Sequence, residues 1–358
     1  MACQKRLVFT GGGTLGHVMP NLPLIEHYQQ QGYTIHYIGS KKGEERAFVE
    51  ARQINYHSIK TGKLRRYFDW QNFLDIFNVS LGIVQSFFVL LKLRPKVLFS
   101  KGGYVALPAV VGAWLLRIPI VIHESDRTPG LTTKLSKRFA KKICVSFQHA
   151  AQYFEAKKVT WTGLPVRTAL FNASRESGLA VTGFSGNRPI LLVFGGSLGA
   201  GFLNELIREY ITTPWLSQFD VVNICGEGKV DPELNYANYK QFERLGAEFL
   251  DVMQAADIVL TRGGATSLFE LLAMKKPHVI IPLSKAVSRG DQVHNARYFA
   301  DLGVSTFIEE EEASWERVQA LLQQCYQNRA ALLASMEQLE FAQATQKVIE
   351  VIDGAMKK

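Results

Sequence analysis

Twice along this 358-residue chain a short apolar run ends in a glycine-rich turn of nearly the same sequence. "RLVFT" leads into "GGTLG" at 12–16, and "PILLVF" leads into "GGSLG" at 195–199. Strand, glycine turn and helix in that order open a doubly wound parallel sheet, where the turn brings backbone amides to the carboxyl edge of the strands. Two such openings in one chain predict two similar nucleotide-type domains. The intervening sequence agrees: "YTIHYI", "KVLFS", "IPIVIH", "KKICVS" and "KVTWT" follow the first turn, and "FDVVNIC", "DIVLT" and "PHVIIPL" the second. Continuous apolar runs separated by helix-length amphipathic segments mark strands buried on both faces. The expected fold class is therefore α/β, two Rossmann-like doubly wound domains. A seam is expected where "GLPVRTALF" (163–171) gives way to the polar stretch 172–189. It places a first domain at 1–164 and a second at 165–339.

Charge separates the halves. Residues 1–160 hold 23 Lys and Arg against 9 Asp and Glu, a net +14, while 161–358 hold 18 against 23, a net −5. A basic half favours an anionic partner: nucleic acid, lipid headgroups or a phosphorylated substrate. No aromatic-basic recognition motif accompanies the charge, so nucleic acid is the least favoured of these. Cys3, Cys144, Cys225 and Cys325 are scattered without C-x-x-C spacing, which argues against a zinc site or a disulfide framework and for a reducing compartment. The first thirteen residues show no run of signal-peptide length, and a cytoplasmic location is expected. Ile76 to Leu91 carries no charge over 16 residues, short of the roughly 20 that a spanning helix needs. Part of it, with Lys63, Arg65, Arg66, Tyr67, Phe68 and Trp70, is expected to enter a bilayer interface, and the remainder to pack on the sheet.

Gly11, Gly13 and Gly16 satisfy the G-x-G-x-x-G spacing of a dinucleotide site. Such a site also needs an acid at the end of the second strand, where this chain has Gly39, Ser40, Lys41 and Lys42. That excludes the usual NAD pattern and leaves a 2′-phosphate on Ser40 and Lys41 as an alternative. His17, just past the third glycine, is expected at a helix N-terminus, where free amides attract anions and an imidazole can act on a bound group.

The second half offers a different set. "RGGATSLFE" (262–270) follows a strand, with hydroxyls at Thr266 and Ser267 and a carboxylate at Glu270. Amides and hydroxyls suit a diphosphate, and a carboxylate one turn on can accept from both hydroxyls of a ribose. "SRGDQVHNA" (288–296) then opens a helix with Asp291, Gln292 and Asn295, side chains suited to a sugar ring. Their order along one α/β domain reads as a nucleotide-sugar site.

In order, "GGGTLGHVMP", "KGGYVALP", "HESDRTPGLTTK", "GLPVRTALF", "FGGSLGAGFLN", "EFLDVM", "RGGATSLFE" and "DQVHNA" resemble the successive motifs of the MurG family. These bacterial enzymes add N-acetylglucosamine from UDP to lipid I, making lipid II of the cell wall. The resemblance implies a GT-B fold with the site in the cleft between the domains, donor on the second and acceptor on the first. It also implies a last helix, 340–358, that returns to the first domain. By motif, Glu270 would bind the ribose, and Ser197, Thr266 and Ser267 with neighbouring amides the diphosphate. The backbone of Leu250 would read the uracil, Arg167 would lie beside the nucleotide, and Ala265, Gln292 and Asn295 would line the sugar. Gly13, Thr14, His17 and Tyr104 would hold the acceptor, with Thr14, Leu15, Gly16 and Asp126 reaching the donor. Leu15 stands where the family often has Gly, and Asp126 and Arg127 replace an Asn-Gly pair.

The chemistry implied is inverting displacement at the anomeric carbon. It needs a base for the acceptor hydroxyl, for which His17 is favoured over Asp126 and Glu124, and groups to meet charge on the leaving diphosphate, among them Arg262. No D-x-D occurs, and neither a metal nor another cofactor is expected. The partners implied are UDP-N-acetylglucosamine, lipid I, an anionic membrane surface bound peripherally on its cytoplasmic side, and cell-wall synthesis or division proteins. A transferase for another lipid, a UDP-sugar epimerase and a non-catalytic nucleotide-sugar-binding protein remain alternatives.

Overall fold

The computed structural model describes residues 5–62, 71–196, 199–286, 290–339 and 343–357. The chain divides into two compact units, Met1–Arg167 with Ala342–Lys358, and Thr168–Phe341. In the first, β1 (Arg6–Thr10), β2 (Thr34–Ser40), β3 (Asn55–Ile59), β4 (Leu98–Ser100), β5 (Ile120–Glu124), β6 (Lys142–Val145) and β7 (Val159–Trp161) form one parallel sheet in the order β3-β2-β1-β4-β5-β6-β7. Val8 of β1 sits opposite His36 on one side and Leu98 on the other. The helices of this part are α1 (Leu22–Gln30), α2 (Glu44–Glu50), α3 (Gln71–Leu93), α4 (Ala106–Leu115) and α5 (Leu131–Ser136).

The second unit has its own parallel sheet, β10-β9-β8-β11-β12-β13. Its strands are β8 (Ile190–Phe194), β9 (Asp220–Ile224), β10 (Tyr239–Phe242), β11 (Ile258–Thr261), β12 (His278–Ile280) and β13 (Thr306–Phe307). Around it lie α6 (Arg175–Thr182), α7 (Gly201–Tyr210), α8 (Phe249–Ala255), α9 (Ala265–Ala273), α10 (Asp291–Asp301), α11 (Trp315–Gln327) and α12 (Arg329–Glu337). The last helix, α13 (Ala344–Met356), belongs to the first unit. Its Val348, Ile349 and Ile352 pack with Leu7, Phe9, Phe99 and Val121, and Tyr28 donates to Asp353 at 2.8 Å. Lys141 Nζ bonds the Ala355 and Lys357 carbonyls, a cation where the helix C-terminus is electronegative.

Strand order reverses between β1 and β4 and again between β8 and β11. At such switch points the loops leave on opposite faces and open a crevice at the carboxyl ends. Both glycine turns lie there.

One expectation changes. The polar stretch 172–189 is not a plain linker, because it contains α6, capped by Ser174 (Oγ accepting from Ser177 N at 3.1 Å) and closed by Gly183 at φ 73°. Helix α3 turns much of its apolar surface to solvent. Ile76, Phe77, Leu81, Val84, Phe88 and Leu91 are exposed, while Val79, Ser86 and Leu90 are buried. The inward side mixes apolar and small or polar groups: a side chain at Gly82 would strike the Lys60 carbonyl, and Gln85 Oε1 accepts from Lys60 N at 2.7 Å. The helix is apolar on its solvent face and held by Val79 and Leu90 together with Gly82, Gln85 and Ser86 on its inner one. Asp75–Leu93 is long and apolar enough to cross a membrane by length and composition.

Buried imidazoles make the fold acid-sensitive. His278 on β12 is fully buried, with Nδ1 donating to the Lys276 carbonyl at 2.8 Å, and burial pushes its pKa down to about 4. Burial with His57 and Arg6 nearby lowers His36 to about 4, and burial beside Lys101 holds His123 well below its ordinary value. The unfolded chain protonates these groups near pH 6.5 while the fold resists, so their contribution is complete above that pH and is lost as pH falls toward 4. His278 alone is expected to contribute about 3 kcal/mol of this loss. Urea unfolding at pH 7 and pH 4.5 should show it, and His278→Asn, which retains a donor without titrating, should flatten the slope. An unchanged slope in that variant would remove His278 from the account.

Candidate active site

At the first switch point the backbone is packed too tightly for side chains. A Cβ on Gly11 would lie 2.5 Å from the His17 carbonyl, and one on Gly103 (φ 76°) would lie 2.0 Å from the Gly12 carbonyl and 3.0 Å from His17 Cδ2. Gly13 (φ 92°) brings the chain under the Tyr104 ring, 2.6 Å from where its Cβ would be. The turns after β1 and β4 thus interlock and place His17 and Tyr104, both partly exposed, side by side with Gly13 and the exposed Thr14. Leu15 and Gly16 lie in the same short segment. His17 does not sit at an α-helix N-terminus as expected: Leu15–His17 is a single 3₁₀ turn, a second follows at Met19–Asn21, and α1 begins only at Leu22. Pro20 and Pro23 each lack an N–H, which favours breaking the segment into short turns. One such turn has little dipole, so the imidazole must act through its own chemistry.

A residue the sequence reading missed decides what this turn holds. Glu45, in the first turn of α2, is completely buried. Its carboxylate accepts from Ser40 N (3.0 Å), Ser40 Oγ (2.5 Å) and Gly13 N (3.4 Å). Those are the positions at the glycine turn and the end of the second strand where a dinucleotide fold binds pyrophosphate and ribose. A phosphate brought here would meet a buried carboxylate already holding the donors. The NADP alternative on Ser40 and Lys41 is therefore dropped. The acid at "GEER" was visible in the sequence, but nothing there told a solvated helix start from an inward carboxylate.

Glu124 ends β5 and is 5% exposed. Its two oxygens accept from Asp126 N (3.0 Å) and Gly130 N (3.2 Å), so the carboxylate shapes the loop that carries the partly exposed Asp126. Lys101, on the turn after β4, is 2% exposed and in contact with Ser125 Oγ. Arg167 is partly buried at the last position of this part of the unit.

The second switch point differs. Gly199 (φ 76°) lies against the Cys225 carbonyl, which also accepts from Asn204 Nδ2 at 2.9 Å. Ser197 lies outside the described residues. After β11, Gly264 precedes α9 with open space where a Cβ would be. The nine-residue helix α9 begins there, with Thr266 and Ser267 partly exposed in its first turn and Ala265 and Glu270 buried at 6% and 4% exposure. Gln292 Oε1 accepts from Gly263 N (3.1 Å) and Leu283 N (3.0 Å), and the buried Asn295 donates Nδ2 to the Gly263 carbonyl (3.2 Å). Both residues hold the turn in shape, and Asn295 is 1% exposed. Arg262 is also reassigned: its guanidinium is buried on the Ile281 and Pro282 carbonyls and the Glu310 carboxylate, so its charge is committed within the unit. Leu250 is buried in the first turn of α8, its N–H 3.3 Å from the Ala247 carbonyl, next to Phe249, whose ring meets Phe194 edge-on. Among the described residues no cluster of His, Cys, Asp and Glu is suited to a metal ion.

Two parallel-sheet units of Rossmann type, each with a glycine turn at its switch point, and the matches that follow define a glycosyltransferase of the GT-B fold. Residues 7–145 match the glycosyltransferase family 28 N-terminal domain and residues 190–352 the glycosyltransferase family 28 C-terminal domain, and the chain belongs to this family. It is 45% identical to the UDP-N-acetylglucosamine--N-acetylmuramyl-(pentapeptide) pyrophosphoryl-undecaprenol N-acetylglucosamine transferase of Legionella pneumophila (strain Lens), over 97% of this chain and 96% of that one. The enzyme of the same name from Clostridium tetani is 44% identical over 98% of both chains. Acinetobacter baumannii MurG superposes with a TM-score of 0.73 over 98% of this chain and 99% of its own; at 23% identity that likeness shows the fold alone.

Proposed function

We propose that this enzyme transfers N-acetylglucosamine from UDP-N-acetylglucosamine to the C4 hydroxyl of the N-acetylmuramyl residue of lipid I, forming lipid II. The single observation that carries the assignment of sides is the contrast between the two turns. In the first turn the Glu45 carboxylate holds Gly13 N and Ser40 N, while in the second Gly264 opens the start of α9 with a buried acid further along the helix. The donor nucleotide belongs on the second unit and the acceptor sugar on the first. The near full-length identity to enzymes named for this reaction supports the substrate pair.

In the reaction the acceptor oxygen bonds to the anomeric carbon as the bond from that carbon to the β-phosphate oxygen breaks, and the α-linked donor gives a β-linked product. His17 takes the hydroxyl proton as the general base, a role to which an imidazole nitrogen is suited. The departing electron pair stays on UDP, where the α9 amides and Thr266 meet the added charge. Glu270 fixes the ribose, and Tyr104 and Asp126 orient the acceptor.

The outward face of α3, with exposed Trp114 and Leu115 on α4, rests on an anionic membrane surface on its cytoplasmic side. Inserting α3 across the bilayer would strip Gly82, Gln85 and Ser86 from the contacts with Lys60 and α4 that fix them, whereas lying at the interface keeps them. The basic half adds on the order of 1 kcal/mol per surface Lys or Arg near such a membrane. Replacing both Phe77 and Phe88 by Asp is expected to lower binding to phosphatidylglycerol vesicles by about tenfold or more. Transfer to a soluble short-chain acceptor should be unchanged, and undiminished vesicle binding would refute the surface assignment. The central test is acceptor-dependent transfer of labelled N-acetylglucosamine to a short-chain lipid I analogue. Consumption or isomerisation of the UDP-sugar without acceptor would refute the proposed reaction.

A further inference from the structure

The turn that carries Asp126 rests on a cation that the reaction, as described, does not use. Lys101 is fixed at its backbone, where its N–H donates to the Thr10 carbonyl at 2.8 Å. Its stem lies under the first glycine turn, since a Cβ on Gly11 would sit 3.0 Å from Lys101 Cβ. Its ammonium reaches the next strand end and touches Ser125 Oγ, between Glu124 and Asp126. One side chain thus joins the support of the His17 segment to the support of the Asp126 loop.

We propose that Lys101 is a positioning residue for acceptor activation, its buried ammonium balancing the carboxylate at Asp126 and holding the Glu124–Ser125–Asp126 turn against the glycine turn that carries His17. The inference rests on the transferase reading above. A buried ammonium on a hydroxyl alone would be uncompensated, and a neutral serine supplies no charge. The anions facing Lys101 are Glu124 and Asp126, with Cys144 on β6 as a third group, while His123 faces it as a neutral ring. Glu124, the stronger of the two influences, is already fixed by two backbone amides, so the carboxylate of the turn that depends on Lys101 for its position is Asp126. Asp126 is the partly exposed carboxylate of this turn, and Lys101 is the buried cation beneath the neighbouring Ser125. Burial, opposed by Glu124 and Asp126, brings the Lys101 pKa down to about 8, within reach of an activity profile.

The test is a cycle of Lys101→Met, Asp126→Asn and the double variant, assayed with UDP-N-acetylglucosamine and the short-chain acceptor. Lys101→Met is expected to lower kcat about tenfold or more in the native background and less than about threefold in the Asp126→Asn background, with KM for the donor little changed. Equal losses in both backgrounds would overturn the proposal. Should Lys101→Met not fold, the native enzyme and Asp126→Asn suffice: kcat should fall as pH rises through about 8, and this limb should move to lower pH when the Asp126 charge is removed. A flat profile, or a limb that stays in place, would likewise overturn it. If the native protein shows no acceptor-dependent transfer, the functional reading fails instead, and the same cycle read as thermal stability still decides whether Lys101 and Asp126 are coupled.

Discussion

Replacing His17 by alanine is expected to lower kcat for acceptor-dependent transfer about 10²- to 10⁴-fold, the usual contribution of a general base, while KM for UDP-N-acetylglucosamine stays within about threefold. The split follows from where the groups lie. His17 is in the first unit, beside Gly103 and the Tyr104 turn, and the donor contacts proposed on α9 are in the second. Folding should survive, because the interlocked turns are built from Gly11, Gly12, Gly13 and Gly103 backbone, with the imidazole only partly buried against them. Thermal denaturation of the variant checks this. If transfer falls less than about threefold, the base lies elsewhere, and Asp126 becomes the first choice, because Glu124 is nearly buried and accepts backbone N–H groups on both oxygens.

The sequence was most legible where burial is complete. Strands β1, β2, β4, β5, β6, β8, β9, β11 and β12 read as unbroken apolar runs because helices cover both faces of the sheet. The strands absent from that reading, β3 ("NYHSI"), β10 ("YKQF") and β13 ("TF"), are sheet edges, short and half-exposed, and their composition is that of loops. Helix α6 carried its own signals in Ser174 and Gly183, outweighed by the polar character of the segment between them. For α3 the hydrophobic count was plain, but not its direction. Periodicity shows that a helix has an apolar face and says nothing about whether protein or something else covers it.

At the candidate site the glycines and hydroxyls stood out, since turns at strand ends demand them. The charged groups beneath were harder to place. Glu45, Lys101 and Arg262 are each at most 8% exposed, and each acts through a partner on another strand or helix: Ser40 and Gly13, Ser125, and Glu310. A charged residue in a linear sequence defaults to the surface, and only the fold shows which are turned inward. The same limit explains Arg262, whose position next to two glycines suggested a phosphate contact until Glu310, 48 residues on, proved to hold it.

Glu270 is the second residue whose loss should be severe. Glu270→Ala is expected to raise KM for UDP-N-acetylglucosamine about 100-fold or more, two hydrogen bonds to a charged acceptor each contributing about 1.5–3 kcal/mol, with a smaller change in kcat. The carboxylate is 4% exposed on α9, the helix whose N-terminus receives the diphosphate in the proposed complex, so ribose and phosphates are registered by one rigid element. A loss of affinity alone would also follow from a local collapse of that helix. The discriminating measurement is therefore the response to a donor lacking the ribose 2′-hydroxyl. The native enzyme should penalise it strongly, because a buried acceptor is left with one partner fewer, and Glu270→Ala should barely distinguish it from the natural donor. Glu270→Gln should fall between the two, keeping one acceptor oxygen without the charge. If both variants discriminate as the native enzyme does, Glu270 supports α9 from within and the ribose is bound by other groups.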